Sequence, residues 1–95
     1  MIIRFFRVEI YPEYREEFET KFRSLSVGAL ETQEGCESIE IGFPVESNPN
    51  EYSMISKWQS KDKLIEFLGE DWHKAFIPDG MEHYAKQYSV HHYDI

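Results

Sequence analysis

The chain of 95 residues carries ten Lys and Arg against eighteen Asp and Glu, a formal net charge of −8. That balance repels phosphate backbones and anionic head groups, so neither nucleic acid nor a membrane surface is an expected partner. With 41% apolar and 16% aromatic residues, it reads as a single folded domain over residues 1–95. A domain this small buries only about two thirds of its unfolded surface, so self-association is a natural supplement.

Ile2 to Tyr11 alternates as a strand, with Ile2, Phe6, Val8 and Ile10 on one face and Ile3, Phe5, Arg7, Glu9 and Tyr11 on the other. Apolar residues on both faces predict that both are covered. Arg4 interrupts the more apolar face, either as a snorkelling edge residue, which is the reading preferred, or as a pocket cation. The charges within Met1 to Arg7 do not suit a signal peptide, no apolar run reaches the length of a membrane span, and the expected location is cytoplasmic.

Pro12 suits the first turn of a helix whose apolar stripe is Tyr14, Phe18, Phe22, Leu25 and Ala29. Acidic residues crowd its start and basic residues follow, which predicts the i, i+4 pairs Glu17 with Lys21 and Glu19 with Arg23 on a solvated face. After Gln33-Glu34-Gly35, the alternation of Ile39, Ile41 and Phe43 predicts a strand over Ser38 to Phe43. Cys36, the single cysteine, excludes an internal disulfide and is expected to be a small packing residue. A polar turn at residues 46–50 leads to a third strand from Tyr52 to Gln59.

Ser60 is placed to cap a second helix containing Leu64, Ile65, Phe67 and Leu68, which stops at Gly69. Asp71 restarts a turn carrying Trp72, His73, Ala75 and Phe76, and Pro78 blocks its continuation. Asp79 and Glu82 are spaced as in a capping box, and a last strand runs from about Gln87 to Ile95. The order β-α-β-β-α-β is that of an α+β, ferredoxin-like domain with an antiparallel sheet. Its helices cover one sheet face, and the other is expected to meet a second copy of the chain.

A ligand pocket is expected between helices and sheet, lined by Phe6, Trp72 and Phe76, with His73 as base and His92 as a further polar contact. Each aromatic residue also has a plain reading as core, and His73 one as a surface residue. His91 and His92 are strand neighbours that face opposite ways and do not chelate one ion together, so no metal site is expected.

Thr32-Gln33-Glu34-Gly35-Cys36 before the second strand, Ser56-Lys57-Trp58-Gln59-Ser60-Lys61-Asp62-Lys63-Leu64 across the third strand and second helix, and Trp72-His73-Lys74-Ala75-Phe76 resemble the antibiotic biosynthesis monooxygenase family. The likeness covers nearly the whole chain. It implies a dimeric α/β barrel in which two ferredoxin-like subunits meet sheet to sheet. It further implies oxidation of a small aromatic or quinol by dioxygen, with no cofactor. A haem-degrading branch uses an Asn, a Trp and an iron-binding His where this chain aligns Phe6, Phe67 and Ile77, so that chemistry is not expected. The alternative is a non-catalytic dimeric module that binds a small apolar ligand or a protein partner.

Overall fold

The computed structural model describes residues 1–27, 33–75, 77 and 80–95, with the backbone alone for residues 25–27. Four strands, β1 (Ile2–Ile10), β2 (Cys36–Gly42), β3 (Glu51–Trp58) and β4 (Ala85–Asp94), form one antiparallel sheet in the order β2-β3-β1-β4. Two helices, α1 (Arg15–Lys21) and α2 (Lys61–Leu68), complete the α+β ferredoxin-like arrangement expected from the residue pattern.

The helical stretch after β1 is composite. Pro12–Tyr14 is a 3-10 turn, α1 follows, and Phe22–Val27 widens into a π-helical turn. Leu25 and Ala29, the distal end of the expected stripe, lie outside the described side chains. The expected Glu19–Arg23 pair gives way to better partners. Glu19 accepts the Tyr52 hydroxyl at 2.6 Å and meets Arg15 at 3.5 Å, while the Arg23 guanidinium lies 4.3 Å from the Phe43 ring centre. Burial, and then the Glu19 carboxylate, push the Tyr52 hydroxyl above its usual range, which keeps it a hydrogen-bond donor.

α2 has the ends that its sequence announces. The Ser60 hydroxyl accepts from the Lys63 backbone N–H at 3.2 Å, and Gly69 closes the helix at φ 75°. β2 and β4 begin two residues before their expected starts, at Cys36 and Ala85, and each of the four strands ends one residue short of its expected end. Glu82 hydrogen-bonds back to the Gly80 N–H at 3.0 Å, while Asp79 of the expected capping box lies outside the described residues.

The core lies between helices and sheet. Trp58, Tyr52, Tyr84, Phe22, Ile10 and Leu64 are fully buried there. Phe18 stacks on Phe22 at 5.2 Å between centroids and meets Tyr52 edge-on at 4.8 Å, and Phe67 of α2 stacks on Trp58 at 5.7 Å. Register then decides which side chains share this space. Ile39, Ser56, Arg4 and His92 form one row across the sheet, and Ile41, Met54, Phe6 and Val90 form the next.

Arg4 is the clearest departure from the sequence reading. It was expected at an edge, where its head could reach water, but β1 is an interior strand paired on both sides and Arg4 is only 5% exposed. Ser56, beside it, is the other buried polar residue of this face, and its hydroxyl accepts from the Trp58 indole N–H at 3.0 Å. Ser56→Ala leaves that indole donor buried without an acceptor, so we expect a loss of about 1–3 kcal/mol of stability. Urea denaturation measures it, and a variant as stable as the parent would contradict this account of Trp58.

Candidate functional site

The backbone after α2 shapes one wall of the site. Gly69, in the positive-φ region, turns the chain back into a 3-10 turn at Gly69–Asp71. Trp72 N–H then bonds to the Gly69 carbonyl at 3.1 Å and Lys74 N–H to the Asp71 carbonyl at 2.9 Å. Residues 72–74 form a turn and a bend, which leaves the carbonyls of Trp72 and Lys74 available to another donor.

That donor is Arg4. Its Nη1 donates to the Trp72 carbonyl at 2.7 Å and its Nη2 to the Lys74 carbonyl at 3.0 Å, so a side chain of the central strand holds the turn against the sheet. Nη1 also lies 3.0 Å from Nε2 of His92, directly across β1 and β4. Burial lowers the guanidinium to about 10, far enough above neutrality that it keeps its charge.

The contact fixes the state of His92. A guanidinium only donates, so Nε2 must accept, and the proton of the neutral ring sits on Nδ1. Burial is the main cause that draws His92 down to about 4, followed by the charges of Arg4, His73 and His91. At neutral pH His92 is therefore an uncharged ring offering one N–H. Trp72 meets it edge-on at 5.0 Å between centroids, with the Lys61 ammonium 5.8 Å from the indole centre.

The expected site residues are sorted by this geometry. His92 and Trp72 come together, and Phe6 lies one row further along the same face, beside Val90. His91 pairs opposite Phe5 and faces the other side of the sheet, which decides between the two neighbouring histidines. His73 is exposed at the rim, edge-on to Trp72 at 5.7 Å. Phe76 lies outside the described residues. Arg4 is the member that sequence reasoning misplaced, although a charge breaking the Ile2, Phe6, Val8, Ile10 stripe was the available signal. Among the described residues no group of three His, Cys, Asp or Glu side chains is arranged to hold a metal ion.

The lowered His92 gives a pH dependence whose sign follows directly. The unfolded chain takes up a proton near 6.5, whereas the folded ring does so only near 4. Between those values the unfolded state binds more protons, so this contribution to stability is complete at neutral pH and is lost as pH falls through the window. Denaturant midpoints followed across it should drop further for the wild type than for His92→Gln, which keeps an acceptor for Arg4 but cannot titrate. Parallel pH profiles would remove His92 as the cause.

With the site in view, comparison with known proteins places the chain. No curated protein matches it significantly. Among solved structures, a putative antibiotic biosynthesis monooxygenase from Deinococcus radiodurans aligns with TM-score 0.78 and 14% identity, covering 100% of this chain and 92% of that one. A second antibiotic biosynthesis monooxygenase aligns with TM-score 0.76 and 18% identity, over 100% of this chain and 98% of the other. The heme-degrader MhuD from Mycobacterium tuberculosis, with two hemes bound in its active site, aligns with TM-score 0.73 and 15% identity, over 100% and 95% of the two chains. These likenesses show the shared fold, and the profile of the antibiotic biosynthesis monooxygenase family matches residues 1–79, most of the sequence. The chain belongs to the antibiotic biosynthesis monooxygenase family.

Proposed function

We propose that the protein is a cofactor-independent monooxygenase that oxidises a small electron-rich aromatic or quinol with dioxygen. The observation that carries this reading is the contact of buried Arg4 with half-buried His92, set beside Trp72 on a largely apolar sheet face. The substrate ring lies between helices and sheet against Phe6 and Trp72, with one oxygen towards Arg4 and a second towards the Nδ1–H of His92, on the side of that ring away from Arg4. A cation and a neutral N–H donor in a weakly hydrated site favour a developing oxyanion over its protonated form. Electron density released into the ring then reduces dioxygen. For a ring methylene oxidised to a carbonyl, one oxygen atom stays on carbon and the other leaves as water with the two hydrogens.

The roles divide by exposure. His92 is engaged through Nε2 by Arg4 and serves as donor, whereas His73, in contact with water at the rim, accepts the substrate proton. The residues do not fit haem chemistry of the branch that uses Asn, Trp and His. At the matching places Phe6 and Ile77 pack against the core and Phe67 stacks on Trp58.

The uncovered sheet face supports a second part of the proposal, a cytoplasmic homodimer. Ile3, Phe5 and Ile55 share that face with Arg7, Lys57, Glu9 and Glu40, an apolar centre with a charged surround. Shallow hollows of about 250 and 270 Å³ flank Arg7 there, suited to a partner's side chains. Light scattering at micromolar concentration should give twice the 11.4 kDa chain mass. A monomer under those conditions refutes this part.

Activity is tested by dioxygen uptake with a panel of anthrones and naphthoquinols. We expect turnover by the wild type, retention of most of it in His92→Gln, whose amide can both accept from Arg4 and donate to substrate, and a loss of about 10²–10³-fold in His92→Leu. Absence of enzyme-dependent uptake across the panel would leave the non-catalytic ligand-binding module as the better reading.

A further inference from the structure

We infer that this site takes its ligand as an aromatic monoanion, a phenolate or an aryl carboxylate, with the charged oxygen at Arg4 and the ring against Trp72. The inference rests on the pocket proposed above and adds the charge state in which the ligand is held there. Its starting point is an imbalance. Arg4 is a buried cation, and among the described residues none of its partners is a carboxylate. The ion pairs of the structure involve the amino terminus, Arg15, Lys63, Lys74 and Lys86, and none reaches Arg4. Among the described residues, which hold sixteen of the eighteen acidic side chains, the most buried cation thus has no carboxylate partner.

Carbonyl dipoles and a neutral imidazole compensate such a charge only in part, and a buried charge without a counter-ion is strongly unfavourable. A guanidinium has five N–H donors, of which the Trp72 carbonyl, the Lys74 carbonyl and His92 Nε2 occupy three. Among the described residues nothing takes the other two, so an arriving oxyanion has two charged donors to accept from. The neighbours set the rest of the ligand. Phe6 and Val90 continue the same face without a polar group, and the Trp72 ring borders it, which suits a flat apolar body. A single cation in a chain of net charge −8 favours one negative charge over a phosphate dianion.

The experiment measures binding alone, without turnover, by quenching of intrinsic tryptophan fluorescence on the full chain in mildly alkaline buffer. The probes are naphthoate against its methyl ester, and nitrophenolate against nitroanisole, so each anion has a neutral counterpart of nearly the same shape. We expect at least one anion to bind about tenfold to a hundredfold more tightly than its counterpart, and the pair that shows the preference identifies carboxylate or phenolate as the source. In Arg4→Met the preference should disappear, each anion losing more affinity than its neutral counterpart. Equal affinities within both wild-type pairs, or no binding by either anion, overturns the inference whether or not Arg4→Met folds. So does a folded Arg4→Met that keeps the preference. Charge-selective binding without dioxygen uptake would uphold this inference and reject the catalytic reading, and uptake on ligands bound without charge preference would do the reverse.

Discussion

A guanidinium held in an apolar layer organises this molecule. Arg4 spends two donors on the carbonyls of Trp72 and Lys74 and one on His92, so three segments distant in sequence meet at one side chain. The turn after α2 has little regular structure of its own, and the contact to β1 is what sets its height above the sheet. Trp72 is positioned as a consequence, because its backbone carbonyl is among the groups held. The tautomer of His92 follows from the same contact. One electrostatic choice thus fixes a ring, a proton and a stretch of backbone.

The sheet makes that choice available. Because β1 lies between β3 and β4, its alternate residues project into the layer that the helices cover, and a residue there cannot reach water sideways as it could on an edge. The same register sorts His92 inward and His91 outward. The aromatic cluster of Phe18, Phe22, Tyr52 and Tyr84 lies towards the Val8 end of β1, and the row of Ser56, Arg4 and His92 towards the opposite end.

Much of the architecture was legible because it rests on local signals. Ser60 and Gly69 mark α2 through capping chemistry that operates within a few residues, and the alternation of Ile39 with Ile41 reports a half-covered strand directly. The composite helix after β1 was less legible, since the residues that allow a wider turn at Phe22–Val27 keep nearly the same apolar spacing as an ordinary helix. The site was legible in its parts and not in its assembly. Trp72 and His92 could be named as candidates from type and position, but the side of the sheet that His92 faces depends on pairing with a strand at the opposite end of the sequence. Arg4 was misjudged for the same reason, because interior and edge strands look alike until the neighbours are known.

The separation of Arg4 and His92 by 88 positions also bears on how the fold is reached. β1 meets its neighbour β4 across a long stretch of intervening sequence, and such pairings are slow because the entropy of closure is lost before any contact repays it. During synthesis β1 emerges first and stands with one side unpaired until the last ten-residue strand is made. The hairpin of β2 and β3 with α2 can form in the interval, which gives β1 one neighbour early. The contact of Arg4 with His92 thus waits for β4, and a chain made only as far as α2 can possess much of the core without it.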